Sequence, residues 1–139
     1  MTKIYIHKGE NADLDIPKYT SMSYDGFKNL ENQTVESVYL MDILDYINIE
    51  DSKVFLQCIH DKLIDGGEII IQAPDFYQLL IAINFNKIRS DLGKQVIYSG
   101  RIIMHSMEEI LEKVNLAGFD PYIKKYINIF EYYLEFKKI

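Results

Sequence analysis

Three consecutive isoleucines, Ile69-Ile70-Ile71, constrain this chain more than any other stretch. A strand sends successive side chains to opposite faces, so an apolar run without alternation reads as a strand buried on both. Asp65-Gly66-Gly67 precedes the run and Pro74 follows it, which is the punctuation of a short strand. Val35–Leu40 is a second apolar, β-branched run of the same kind. Between the two, Val54, Phe55, Ile59 and Leu63 recur at helical spacing, so Ser52–Leu63 reads as a helix with one apolar face on a sheet. Asp65-Gly66-Gly67 then reads as the turn that ends the helix, with one glycine at positive φ. Strand, helix, glycine turn and strand make a right-handed βαβ unit with a parallel pair.

The flanking segments supply the rest of an α/β domain. Lys3-Ile4-Tyr5-Ile6-His7 alternates and meets Gly9, which predicts a first strand. Ile4–Ile6, Val38–Leu40 and Ile69–Ile71 are the expected central strands. Glu10 to Lys18 lacks periodicity and reads as a loop. Tyr19–Tyr24 is β-branched and aromatic and reads as a second strand, with Asp25-Gly26 as a turn pair after it. Met41 and Asp42 fall at the carboxyl end of the Val35–Leu40 strand, where open α/β sheets bind ligands. Asp42 also suits a helix cap or a solvated loop.

Asp75 is placed to cap a helix over Phe76–Arg89, and Leu79–Ile83 within it reads as buried. Ser90–Gly100 reads as a loop or lid, with Tyr98 directed into the cleft. Ser106 with Glu109 three residues on is a capping box for a helix to Leu116, ended by Gly118. Pro121–Ile129 and Phe130–Phe136 suit an antiparallel hairpin, the second strand at or near the sheet's edge.

Composition narrows the functions. The 139 residues suffice for one domain, taken as 1–139, and 48% of them are hydrophobic, which excludes a disordered chain. A formal net charge of −6 argues against a nucleic-acid backbone as the main partner; Lys124-Lys125 is one small basic pair. A small-molecule ligand and self-association both remain compatible with such a domain. Cys58 is the single cysteine, so no disulfide forms within the chain, which suits a reducing cytoplasm. Inside a helix it reads as a small hydrophobe or as a nucleophile. No apolar run is long enough to span a bilayer and no signal-peptide pattern opens the chain. His60 and His105 lie far apart, and Asp42 and Asp45 lack metal-site spacing.

Several motifs together resemble the class I S-adenosylmethionine (SAM) dependent methyltransferases, over roughly Thr34 to Phe119. Ile43-Leu44-Asp45-Tyr46-Ile47 is similar to the segment after that family's fourth strand. Leu63-Ile64-Asp65-Gly66-Gly67 and Pro74-Asp75 flank the matching fifth strand, and Ala117-Gly118-Phe119 matches its last helix–strand turn. The resemblance implies a Rossmann-like α/β methyltransferase fold, a mostly parallel sheet with an antiparallel C-terminal hairpin. Its N-terminal half is trimmed, because the connection after the first strand is too short for a full crossover helix.

The resemblance also implies where SAM would be held. His7, Lys8 and Gly9 stand in the glycine-rich loop, of which Gly9 alone keeps glycine. Asp25 is the nearest substitute for the ribose-binding acid after the second strand, and Met41 and Asp42 follow the fourth. The cofactor-binding candidates are therefore His7, Gly9, Asp25, Met41 and Asp42, with no catalytic residue assigned. By itself His7 reads as a loop or core histidine, and Asp25 as half of a turn. Asp45 and Tyr46 replace the family's Glu and His. The expectation is a methyltransferase-like protein with weakened or lost SAM binding, serving as a binding or regulatory module. The alternative is an active SAM-dependent methyltransferase on a small molecule or sugar.

Overall fold

The computed structural model describes residues 2–7 and 16–139. Lys8, Gly9 and most of the expected loop up to Lys18 lie outside the described residues. Six strands form one sheet: β1 (Thr2–Ile6), β2 (Thr20–Met22), β3 (Val35–Met41), β4 (Leu63–Pro74), β5 (Phe119–Tyr126) and β6 (Glu131–Lys138), in the order β2-β1-β3-β4-β6-β5. The first four strands in that order are mutually parallel, and β6 and β5 close the sheet as an antiparallel pair. Val38 pairs with Ile69 and Leu40 with Ile71, so the three apolar runs are the parallel centre that the sequence predicts.

The helices are α1 (Tyr24–Lys28), α2 (Ile49–Lys62), α3 (Phe76–Asn84), α4 (Ser90–Ile97) and α5 (Met107–Leu116). A right-handed crossover places its connection on a face that depends on which way the chain moves along the sheet. The steps β2 to β3 and β3 to β4 run the same way, and Phe27 of α1 and Phe55, Leu56 and Ile59 of α2 join one core. Ile110 and Val114 of α5 join the same core, against Ile4, Ile6, Val38, Leu40, Ile69, Ile71, Leu134 and Phe136. The step β1 to β2 runs the other way. Its described end, Tyr19, lies on the opposite face, with its hydroxyl 2.8 Å from Ser37 Oγ.

Several boundaries differ from the sequence reading. The second strand is only Thr20–Met22, and Tyr24, Asp25 and Gly26 are helical in α1. Ser23 Oγ accepts from Gly26 N and starts that helix, so the Asp-Gly pair is not a turn. The next helix begins three residues early because Asn48 caps it on Asp51 N. It ends at Lys62, and the glycines lie within β4 rather than in a helix-ending turn. Val35 pairs with Leu63 but Ser37 pairs with Glu68, so the extra β4 residues form a bulge. Gly66 has φ +73° there, the left-handed value expected of one glycine of the pair. A Cβ on Gly67 would meet Ile64 O at 2.9 Å.

Ser90–Ile97 is helical rather than a loop, and the helix before it stops at Asn84. Gly93 allows this, since a Cβ there would meet Ile83 Cδ1 at 2.4 Å. The close pass of two helices is invisible to periodicity over so short a segment. Leu79 and Ala82 of α3 are buried but Leu80 and Ile81 are exposed, so only one stripe of that apolar run enters the core. Tyr98 follows α4 and is 80% exposed, not turned into a cleft. Asp75 caps α3 through Gln78 N, and the Ser106–Glu109 capping box is present. The hairpin strands begin and end within a few residues of the predicted ones, with β6 inside β5 at the edge. Cys58 is half-buried and packs against the core.

Candidate cofactor cleft and the buried ion network

Strand order reverses on either side of β1, and a cleft of about 390 Å³ opens there. Its walls come from residues that follow three strands: His7 after β1; Ser23, Tyr24 and Asp25 after β2; and Ile43, Tyr46 and Ile47 after β3, with Phe55 of α2 behind them. This is the switch point at which open α/β sheets take ligands. Tyr24 and Phe55 stack edge to face at 4.8 Å, giving the cleft an aromatic wall. His7 N donates to Met22 O at 3.1 Å, which holds the start of the loop after β1 to β2. Asp25 lies in the first turn of α1, its carboxylate 3.0 Å from Lys28 Nζ and largely exposed.

The structure thus brings His7 and Asp25 together. Met41 ends β3 opposite Gln72, and Asp42 follows it; neither lines the cleft. Gly9 lies outside the described residues. Asp42 is neither a helix cap nor a solvated loop residue. It has φ +53° and pairs through both oxygens with Arg101 Nη1 and Nη2, the latter contact 2.7 Å. Its left-handed backbone is a strained position that asparagine and aspartate tolerate best.

Arg101 is the residue that sequence reasoning missed. Its side chain is 4% exposed and also reaches Asp45 Oδ2 at 2.9 Å. Its Nε donates to Val96 O at 2.8 Å, and it lies over the Tyr46 ring at 5.1 Å. Asp45, itself 1% exposed at the side chain, accepts from both the backbone N (3.1 Å) and Nδ1 (2.7 Å) of His105 through Oδ1. His105 Nε2 lies 3.1 Å from Lys113 Nζ, which also reaches Ser52 Oγ at 3.3 Å. A lysine ammonium can only donate, so His105 accepts at Nε2 and carries its proton at Nδ1, toward Asp45. The chain Asp42–Arg101–Asp45–His105–Lys113 is then hydrogen-bonded throughout, with Arg101 between two carboxylates and the neutral His105 between Asp45 and Lys113. Arg101 and His105 lie more than fifty positions in sequence from Asp42 and Asp45, beyond any local motif. Among the described residues, no group of three or more His, Cys, Asp and Glu has a metal-holding arrangement.

This strand order, with a cleft after the parallel strands and a closing antiparallel pair, is that of a class I SAM methyltransferase-like fold, in a small form. A methyltransferase from Archaeoglobus fulgidus, described as SAM-dependent, superposes with a TM-score of 0.64 at 14% identity, over 96% of this chain and 74% of that one. The PH0226 protein of Pyrococcus horikoshii gives 0.66 at 11%, covering 99% and 72%. Magnesium protoporphyrin IX methyltransferase of Synechocystis, with bound S-adenosylhomocysteine, gives 0.55 at 14%, covering 94% and 55%. At these identities the likeness is one of fold, and several other solved matches are more than twice as long as this chain. No family profile matches the sequence, and no curated protein does.

Proposed function

We propose that this chain is a binding module on the methyltransferase fold, one whose residual cleft holds SAM weakly. The observation that carries the reading is that His7, and not a glycine, lines the cleft directly after β1. A tight cofactor cradle there is made of bare backbone, because the ligand packs against it. A second observation points the same way: Asp42, the acid after β3, has both oxygens taken by Arg101. The residues present therefore do not fit a tight SAM cradle, and we assign no methyl-transfer step. Asp25 and the aromatic pair Tyr24 and Phe55 remain suited to the hydroxyls and ring of a nucleoside-like small molecule.

The test is calorimetric titration with SAM and with S-adenosylhomocysteine. Loss of a charge-assisted hydrogen bond weakens binding about tenfold to a hundredfold, so a Kd above about 100 μM is expected. His7→Gly should tighten it by about tenfold. Saturable binding at low micromolar concentration would overturn this reading in favour of an active methyltransferase on a small molecule, the reading that Asp25 and the aromatic wall favour.

A further inference from the structure

A larger cavity lies away from the cofactor cleft, between α2 and α5, and encloses about 540 Å³. Ile49, Lys53 and Leu56 reach it from one stripe of α2; Glu109, Glu112, Lys113 and Leu116 reach it from one stripe of α5. Gln57, Ile103, Ala117 and the buried His105 complete its lining. The size and the apolar floor are those of a small-ligand site.

Its polar groups are placed by the ion network. His105 is 2% exposed and fixed by Asp45, so the Lys113 ammonium held on Nε2 has a defined position. Two of its three donors go to His105 and Ser52, which leaves a third hydrogen on the ammonium. Burial lowers the Lys113 pKa from its ordinary value; the charge of Lys53 pushes the same way, against Glu109 and Asp45. Glu109 Oε1 is occupied by Ser106 N in the capping box, and Glu112 is exposed at the rim. Lys53 lines the same cavity from α2, so a carboxylate seated over the apolar floor has the remaining donor of Lys113 and the exposed Lys53 to engage, with Glu109 and Glu112 at its border.

We infer that this groove binds an amphipathic monocarboxylate, with its carboxylate on Lys113 and Lys53 and its chain along Ile49, Leu56 and Leu116. The site is independent of the SAM reading, since it shares no lining residue with the cleft of His7 and Asp25.

Titration of decanoate into the full chain, followed by amide chemical shifts, tests this, with 1-decanol as the uncharged control. Decanoate should saturate, move the α2 and α5 amides, and bind at least about tenfold more tightly than decanol. Lys113→Met should lose about tenfold, while Lys113→Arg should restore most of the affinity. Because Lys113→Met leaves the buried His105 Nε2 without its partner and could unfold the chain, exposed Lys53→Met gives a second reading, with a smaller loss expected. Equal binding of decanol and decanoate, no loss in a folded lysine→methionine variant, or no saturation below micelle formation would each overturn the inference. SAM titration of the Lys53→Met variant should match that of the unaltered chain, so the two sites can fail separately.

Discussion

On one face of the sheet, Ile69 and Ile71 pair in register with Phe136 and Leu134 beneath α2 and α5. On the other, Ile70, lying between them in sequence, sits in a row with Tyr5, Tyr39 and Glu135. Ile70 is only 6% exposed although it is no part of the helix-packed cluster. Parallel sheets normally need helices on both faces. Here tyrosines cover part of the second. Tyr39 stacks edge to face on Tyr5 at 6.3 Å and on Tyr19 at 5.6 Å. Its hydroxyl donates to Gln72 Oε1 at 2.7 Å, while Tyr133 donates to Glu135 and Tyr122 to Glu68. A phenol supplies a broad apolar ring and a polar tip that water or a neighbour satisfies. The comparison gives a reason for a composition with 11 tyrosines and no tryptophan.

The largest test of that difference is a pair of truncations on β6. Phe136 is fully buried on the helix-covered face, and Phe136→Ala should cost about 3–5 kcal/mol. Tyr133 is half-buried on the tyrosine face, and Tyr133→Ala should cost distinctly less. Urea midpoints at constant slope measure both. Equal losses would mean that the two faces are equally well packed and would end the comparison.

Alkaline pH is the next lever, because both faces carry phenols whose pKa is raised. Burial holds Tyr132, 1% exposed, well above the ordinary value of 10, with Asp45 and Asp42 adding to the effect. Tyr126 is pushed to about 12 by burial and its hydrogen bond to Asp75. The folded chain keeps these protons above pH 10 while the unfolded chain loses them. Stability is therefore fully present below pH 10 and falls as pH rises through the folded values, by roughly 1 kcal/mol per pH unit from Tyr132 alone. Denaturant melts from pH 9 to about 12, with phenolate absorbance followed in parallel, should show ionisation coupled to unfolding. Tyr132→Phe should flatten the slope; an unchanged slope would place the effect on the tyrosine face instead.

The bulge in β4 decides which isoleucine meets which face, since a slip of one residue exchanges them. Gly66 at φ +73° tolerates alanine poorly, and Gly66→Ala should cost about 1 kcal/mol. Gly67→Ala should cost more, because its Cβ would press on the backbone oxygens of Ile64 at 2.9 Å and Glu36 at 3.2 Å. Unchanged midpoints for both would contradict this account of the bulge.

The sequence reveals the fold where contacts are local or periodic. The runs at Val38–Leu40 and Ile69–Ile71 announce parallel strands, and the Ser106 capping box announces α5. Two of the eight residues that line the candidate cleft, His7 and Asp25, are legible too, because each follows a strand. The ion network is not. Arg101 follows Gly100 in an unpatterned stretch, and its partners Asp42 and Asp45 are brought to it only by the long path over α3 and α4. Ser90–Ile97 is read as a loop because of Gly93, although Leu92, Val96 and Ile97 share one stripe; the close pass of Gly93 by Ile83 is a tertiary contact that the sequence does not show.

The smallest expected effect is the sharpest on the nature of the tyrosine layer. Tyr39→Phe keeps the ring, and with it the edge contacts to Tyr5 and Tyr19, and removes only the hydroxyl that donates to Gln72. A hydrogen bond at a part-buried site contributes about 0.5–1.5 kcal/mol net, and Gln72 can turn to water. The loss should therefore fall at the low end of that range in a urea melt. Tyr39→Leu, which removes the ring as well, should cost more, because Ile70 and Tyr5 then lose their cover. If the two variants were equally destabilised, the hydroxyl network would hold this face together. If only the leucine variant suffered, the rings do, and the layer covers on this face the kind of apolar surface that α2 and α5 cover on the other.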